Sequence, residues 1–129
     1  CMREPMDTCL SIFFQIFPRG IDFAYDLTEL GRYYQSYQRL MSHWHDLLGQ
    51  RLILVSYEQL VTEPESELRG LLGKMNLSWD DAVLSHERSV SRVDTLSLYQ
   101  VRQPLNTGSK ERWRNYENHL DELRQALAA

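Results

Sequence analysis

The 129 residues carry 14 basic and 18 acidic side chains, a formal net charge of −4 at neutral pH. With 43% hydrophobic and 25% charged residues, the composition excludes wholesale disorder, and the length suits one domain around one core. The longest uncharged apolar run, residues 10–17, is far short of the ~20 residues a bilayer requires, so no membrane span is expected, and no basic stretch followed by an apolar one opens the chain, so no signal peptide is visible.

The chain opens on Cys1 rather than Met, and its first motif begins at Arg3. That beginning reads as a piece of a longer chain. Cys1 and Cys9 are too few for a disulfide framework, so a reducing, cytoplasmic compartment is the default expectation.

Arg3 to Asp7 reads as a loop entering a helix. Pro5 fits the first turn, where a missing N–H costs nothing. The helix is expected to run to about Phe17, before Pro18 and Gly20, and to be buried on most sides because Leu10, Ile12, Phe13, Phe14, Ile16 and Phe17 crowd it. Over residues 26–48, Leu27, Leu30, Tyr33, Tyr34, Tyr37, Leu40, Met41, Trp44, Leu47 and Leu48 keep to one helical face. Asp26 suits the N-cap and Gly49 the stop. The aromatic stripe Tyr33, Tyr34, Tyr37 and Trp44 reads as core.

Residues 51–56 carry the continuous apolar run Leu52 to Val55, which predicts a strand buried on both faces. Helix–strand–helix order predicts an α/β class with a parallel sheet, predominantly helical in this segment. One strand cannot satisfy its own backbone groups, so its neighbours are expected in sequence outside this chain. Thr62, Glu63, Pro64 and Glu65 form a capping-box pattern opening a helix with Leu68, Leu71, Leu72 and Met75 on one side. Residues 76–79 read as a turn, and Asp80 as the cap of a short helix. Residues 117–128 read as a closing helix with Leu120, Leu123 and Leu127 on one side.

Between residues 88 and 114, Arg88, Arg92, Arg102, Lys110, Arg112 and Arg114 face only Asp94 and Glu111, in a loop rich in Pro, Asn, Thr and Gly. Concentrated Arg in an acidic chain suits an anion, because the guanidinium donates two parallel hydrogen bonds to phosphate or sulfate. A solvated, charge-mixed loop gives the same pattern. Arg3 and Ser11 offer a second hint, since Ser11 sits in an otherwise apolar helix and a helix start favours anions. Alternatively the Ser11 hydroxyl bonds back to a helix carbonyl. His43 and His45 diverge by about 200° on a helix, wrong for a shared metal, and no metal is expected. Cys9 reads as a buried thiol rather than a nucleophile. Nucleic-acid binding is disfavoured by the net charge.

The segment REPMDTCLS, residues 3–11, resembles the 3′-phosphate-binding segment of sulfotransferases that use 3′-phosphoadenosine 5′-phosphosulfate (PAPS) as donor. VSYEQLV at 55–61, followed by Glu63 and Pro64, is similar to that family's strand-to-helix segment. TLSLYQVRQP at 95–104 and SKERWRNY at 109–116 resemble its C-terminal nucleotide-covering loop, as found in tetratricopeptide-repeat-fused bacterial sulfotransferases and in tyrosylprotein sulfotransferases. Together these segments span nearly the whole chain.

The resemblance implies the C-terminal part of a P-loop-like parallel-sheet sulfotransferase domain, residues 1–129. Arg3 and Ser11 would hold the 3′-phosphate, joined by Arg112. Tyr57 would contact the adenine. Ser97 would lie near the 5′-phosphosulfate, where the sulfuryl group transfers. Gln100, Val101, Arg102, Gln103, Pro104 and Asn106 would wrap the nucleotide. No Gly-Ser-Thr phosphate loop precedes Arg3, residues 107–110 lack the strand that would frame one, and Gln15 stands where some relatives carry Arg. The general base is therefore expected outside this chain, as is the rest of the domain, and the isolated chain is expected to be inactive. The partners implied are the nucleotide and an acceptor hydroxyl or amine. A non-catalytic helical interaction module derived from the same fold is the rival reading.

Overall fold

The computed structural model of the chain describes residues 1–17, 20–85, 105 and 107–129. They fall into two compact units: Arg3–Leu52 with Gly108–Ala129, and Cys1–Met2 with Ile53–Thr107.

The first unit is helical. Helix α1 spans Pro5–Phe13, α2 Leu27–Leu48 and α5 Asp121–Ala128, with 3-10 turns at Asp22–Tyr25, Gly49–Arg51 and Arg112–His119. Helix α1 starts where Pro5 predicts. The Glu4 carboxylate accepts the Asp7 N–H at 2.6 Å, and Asp7 adds an acidic group to the first turn. It ends at Phe13, short of the expected Phe17. Gln15 N–H turns to the Ile12 carbonyl, and the Tyr25 hydroxyl accepts the Phe17 N–H at 2.7 Å, so a distant side chain takes a donor the helix would have used. Met6, Asp7, Cys9 and Leu10 are buried, whereas Phe14 is exposed and Ile16 is 85% exposed. Within α1 itself every residue is buried or half-buried; the exposed Phe14 and Ile16 lie past its end.

Helix α2 agrees with its sequence. The Asp26 carboxylate accepts Glu29 N–H at 2.8 Å. Gly49, at φ 52°, ends the helix in a backbone region that favours glycine, and its N–H returns to the His45 carbonyl. The apolar stripe is only partly used as core. Leu30, Gly31 and Tyr34 are buried. Tyr33 is exposed and stacks on Phe23 at 4.0 Å, and Leu40, Trp44 and Leu47 are exposed. The core joins Met6, Cys9, Leu10, Leu30, Tyr34, Leu120 and Leu123, with Phe13, Phe23, Trp113 and Tyr116 packed around it. Gly31 lets α5 approach α2 closely: a Cβ there would stand 2.6 Å from Ala126 Cβ. The closing helix is shorter than expected, because residues 112–119 form a 3-10 turn before α5 begins.

In the second unit, α3 spans Tyr57–Thr62 and α4 Pro64–Lys74, followed by a 3-10 turn at Asp81–Leu84. The expected strand at 51–56 is not formed: no β-strand occurs among the described residues. Residues 53–55 take no regular structure, and the segment's single parallel bridge joins Met2 to Ser56. Met2 N–H donates to the Val55 carbonyl at 2.7 Å, and Tyr57 N–H donates to the Met2 carbonyl at 2.8 Å. Two hydrogen bonds make a bridge, and a ladder needs a longer neighbour. The capping box at Thr62 is also not formed. The Thr62 hydroxyl donates back to Glu58 at 2.7 Å within α3, and Glu63 occupies the N-cap of α4. Asp80 does cap its turn, accepting Ala82 N–H at 2.8 Å. Arg69 lies 3.9 Å over the Trp79 ring, covering an indole that the short helices leave partly open.

Candidate functional site

Of the anion-binding candidates in the first unit, Ser11 lies on α1, Arg3 just before it, and Arg112 at the start of the Arg112–His119 turn. On a helix, Asp7, Leu10, Ser11 and Phe14 stand at i, i+3, i+4 and i+7 and therefore share one face. The C-terminal segment docks on that face. Trp113 and Tyr116, three apart, lie on the same side of the 3-10 turn and pack against the core. Tyr116 meets Phe14 edge-on at 5.2 Å.

Asp7 fixes this docking. Its carboxylate is 2% exposed. One oxygen accepts Glu111 N–H at 2.7 Å and the other accepts Trp113 N–H at 2.9 Å, across 104 and 106 residues. Arg112 lies between these two pinned amides. Its guanidinium rests 5.4 Å over the Phe14 ring and has no carboxylate partner among the described residues. By contrast, Arg114 pairs with Glu111 at 3.2 Å, and Arg124 pairs with Glu117 and Asp121. Arg3, just before α1, donates from Nη2 to the Ser109 carbonyl at 2.7 Å, which ties the same segment to the start of the helix.

Ser11 is half-buried, and among the described residues its hydroxyl makes no hydrogen bond. The back-bonding alternative is thus not what this side chain does, although Thr8, Ser36 and Thr62 all bond back to their helix carbonyls. Arg3 precedes α1 and Ser11 lies inside it, and the Arg3 guanidinium is engaged with the Ser109 carbonyl. Among the described residues the face therefore offers a hydroxyl without a hydrogen-bond partner and a cation without a carboxylate. Both are donors suited to a phosphate.

The remaining sequence candidates divide clearly. Tyr57 belongs to the other unit, at the start of α3, with Ser56 as N-cap accepting Gln59 N–H at 3.3 Å. Ser97, Gln100, Val101, Arg102, Gln103, Pro104 and Asn106 lie outside the described residues, as do Arg88 and Arg92. Cys9 is fully buried, and burial, helped by the Glu4 carboxylate, pushes its thiol up to about 12. It remains protonated near neutrality and is no nucleophile. Tyr34 is likewise raised to about 12, chiefly by burial, so it stays a neutral hydroxyl, 3.4 Å from the Arg3 carbonyl. His43 and His45 are exposed on α2, and no group of three metal-ligating side chains occurs among the described residues. No helix among them is long and apolar enough to cross a membrane.

Asp7 is the residue that reading for cations overlooks. Its signal lies in the same spacing: a carboxylate i−3 and i−4 from Leu10 and Ser11 stands on the covered face, where an uncapped charge is costly.

Comparison with known proteins agrees with the motif reading. The sequence model described as "Sulfotransferase family" matches residues 1–81. An uncharacterised protein of Aquifex aeolicus is 33% identical over 97% of this chain, which covers 17% of that protein. The protein-tyrosine sulfotransferase of Drosophila melanogaster is 30% identical over 60% of the chain, covering 19% of the fly protein. Protein-tyrosine sulfotransferase 1 of Danio rerio is 36% identical over 50% of the chain and 20% of its own length. The chain thus spans about a fifth of the length of these relatives.

Proposed function

This chain belongs to the sulfotransferase family, and on that premise we propose that it binds the 3′-phosphoadenosine part of PAPS for a parent protein that transfers the sulfuryl group to an acceptor hydroxyl or amine. The observation that carries the reading is the pairing of Ser11 on α1 with Arg112 on the turn packed against it: among the described residues the Ser11 hydroxyl makes no hydrogen bond and the Arg112 guanidinium, over Phe14, meets no carboxylate.

A 3′-phosphate is a dianion that must be held by cations and fixed donors. Arg112 supplies the cation and Ser11 a hydroxyl donor. Arg3 brings a second guanidinium to the start of α1. Tyr57 is assigned the adenine, and Ser97 with Gln100, Val101, Arg102, Gln103, Pro104 and Asn106 the covering of the nucleotide. PAPS supplies the activated sulfuryl group, and its transfer breaks the bond to the 5′-phosphate oxygen. The residues named here bind and orient; no residue of this chain is assigned as the general base. The Drosophila and Danio relatives are named for protein tyrosine, which makes a phenolic hydroxyl the first acceptor to try.

The test is a thermal melt of the chain with 3′-phosphoadenosine 5′-phosphate and, separately, with AMP. A ligand that binds only the folded state raises the midpoint. The bisphosphate is expected to raise Tm more than AMP does, and Arg112→Ala to remove the difference. Equal shifts for the two nucleotides, or none, overturn the reading.

A further inference from the structure

We infer that Asp7 is the positioning residue of the anion site: its carboxylate caps the Arg112–His119 turn from α1 and thereby sets the Arg112 guanidinium on the Ser11 face. This inference rests on the nucleotide reading above and names the residue that makes it work.

A helix start leaves backbone N–H groups without partners, and a local side chain ordinarily takes them. The turn that begins at Arg112 has no such help, because the N-cap residue Glu111 makes no side-chain cap bond. Glu111 is instead held at φ 54°, ψ 23°, a left-handed conformation unusual for a residue that is not Gly or Asn. Its carboxylate is spent on Arg114. Asp7 takes over the capping from a different helix. Its two oxygens engage the N–H groups of Glu111 and Trp113, so the short stretch Glu111–Arg112 is pinned at both ends.

The face on which this happens is the functional one. Asp7, Ser11 and Phe14 lie along the same side of α1, so a clamp at Asp7 delivers the Arg112 cation to Phe14, one turn past Ser11. A buried carboxylate is an expensive way to hold a loop if holding is all that is needed, since desolvation works against it. It does fix a conformation, and a phosphate site needs its cation within tenths of an ångström.

The test compares dissociation constants for 3′-phosphoadenosine 5′-phosphate and for AMP, taken as a ratio, in the wild type, Asp7→Ala, Asp7→Asn, Arg112→Ala and the Asp7→Ala/Arg112→Ala double variant. Asp7→Ala is expected to shrink the wild-type preference for the bisphosphate by about tenfold while AMP affinity changes less than about twofold. Asp7→Asn keeps one acceptor oxygen and is expected to fall between wild type and Asp7→Ala, which makes it the conservative rescue and the deciding variant if Asp7→Ala fails to melt cooperatively. On an Arg112→Ala background, Asp7→Ala is expected to change the ratio no further. A ratio in the Asp7 variants equal to that of wild type overturns the positioning role alone. So does an Asp7 effect that adds in full to that of Arg112→Ala. A wild-type ratio of one overturns the nucleotide reading, and the positioning role falls with it.

Discussion

Gly31 of α2 and Ala126 of α5 touch through a gap that admits no further carbon: a Cβ at Gly31 would lie 2.6 Å from Ala126 Cβ and 3.4 Å from both the Ala126 carbonyl carbon and Leu123 Cδ1. Helix propensity favours Ala over Gly by about 1 kcal/mol. Overpacking a tight contact costs about 1–3 kcal/mol. The clash is with a Cβ and a backbone carbon rather than a flexible tip, so we expect packing to prevail and Gly31→Ala to lower Tm by several degrees. Ala126→Gly in the same chain removes the atom that is struck, and a double-mutant cycle is expected to recover most of the loss. A Gly31→Ala chain as stable as wild type would show that α5 does not sit this close to α2.

Ser11 offers a separation of stability from binding. Its hydroxyl holds nothing together among the described residues, and Ala is the better helix former by a few tenths of a kcal/mol. Ser11→Ala is therefore expected to leave Tm unchanged or slightly raised. Loss of one hydrogen bond of ~1 kcal/mol to a bound phosphate weakens bisphosphate affinity about fivefold. Titration calorimetry beside a thermal melt reads both quantities. A lower Tm with unchanged affinity would place the hydroxyl in the fold rather than in the site.

These two positions also show what the sequence does and does not disclose. The boundaries of α2 were legible because Asp26 and Gly49 act locally, through a cap and a left-handed stop. From type and spacing Arg3 and Ser11 gave only a hint of an anion site, and their assignment to the 3′-phosphate came from the family resemblance. The extent of α1 was not, because its end is decided by the Tyr25 hydroxyl taking the Phe17 N–H, a tertiary event. Likewise the apolar run at 52–55 suggests a strand but cannot say what lies beside it, and among the described residues the segment gains one bridge, Met2 to Ser56. The spacing puts Asp7 on the covered face, but what it binds there was not legible, for a related reason. Its partners are backbone groups more than a hundred residues away, and main-chain donors leave no mark in a sequence. The stripe on α2 predicted core along its whole length, yet periodicity reports which residues share a face and not whether anything covers it. Leu40, Trp44 and Leu47 keep the period and remain exposed.

Cys9 and Tyr34 together predict loss of stability in alkali. Both are raised to about 12 by burial, from ordinary values of 9.0 and 10.0. Above pH 9 the unfolded chain releases the Cys9 proton while the folded chain retains it, so unfolding binds fewer protons and stability falls as pH rises. Tyr34 adds the same slope from about pH 10. The contribution is complete below pH 9 and is lost through pH 12. Urea midpoints at pH 8, 9.5 and 10.5 are expected to decline in that order, and Cys9→Ala/Tyr34→Phe to flatten the decline. Thiol labelling gives an independent check. Cys1 is exposed and is expected to react at once at pH 8, while Cys9 reacts only after denaturant is added. Prompt labelling of both thiols in native buffer would contradict the burial.

The bridge at Met2 can be tested by removing one atom's worth of chemistry. Met2→Pro deletes the N–H that donates to Val55 but keeps the carbonyl that accepts Tyr57 N–H. A hydrogen bond of this kind contributes ~1 kcal/mol net, and the proline ring adds a φ restraint against the extended bridge geometry. If the bridge is what holds the segment ahead of α3 in place, the Tyr57 amide should exchange with deuterium several-fold faster in Met2→Pro than in wild type. The Leu60 amide, bonded to the Ser56 carbonyl inside the helix start, should change less. Met2→Ala retains the N–H and is expected to exchange like wild type at Tyr57. Equal acceleration in Met2→Pro and Met2→Ala would trace the effect to the Met2 side chain and remove the bridge as the organising contact.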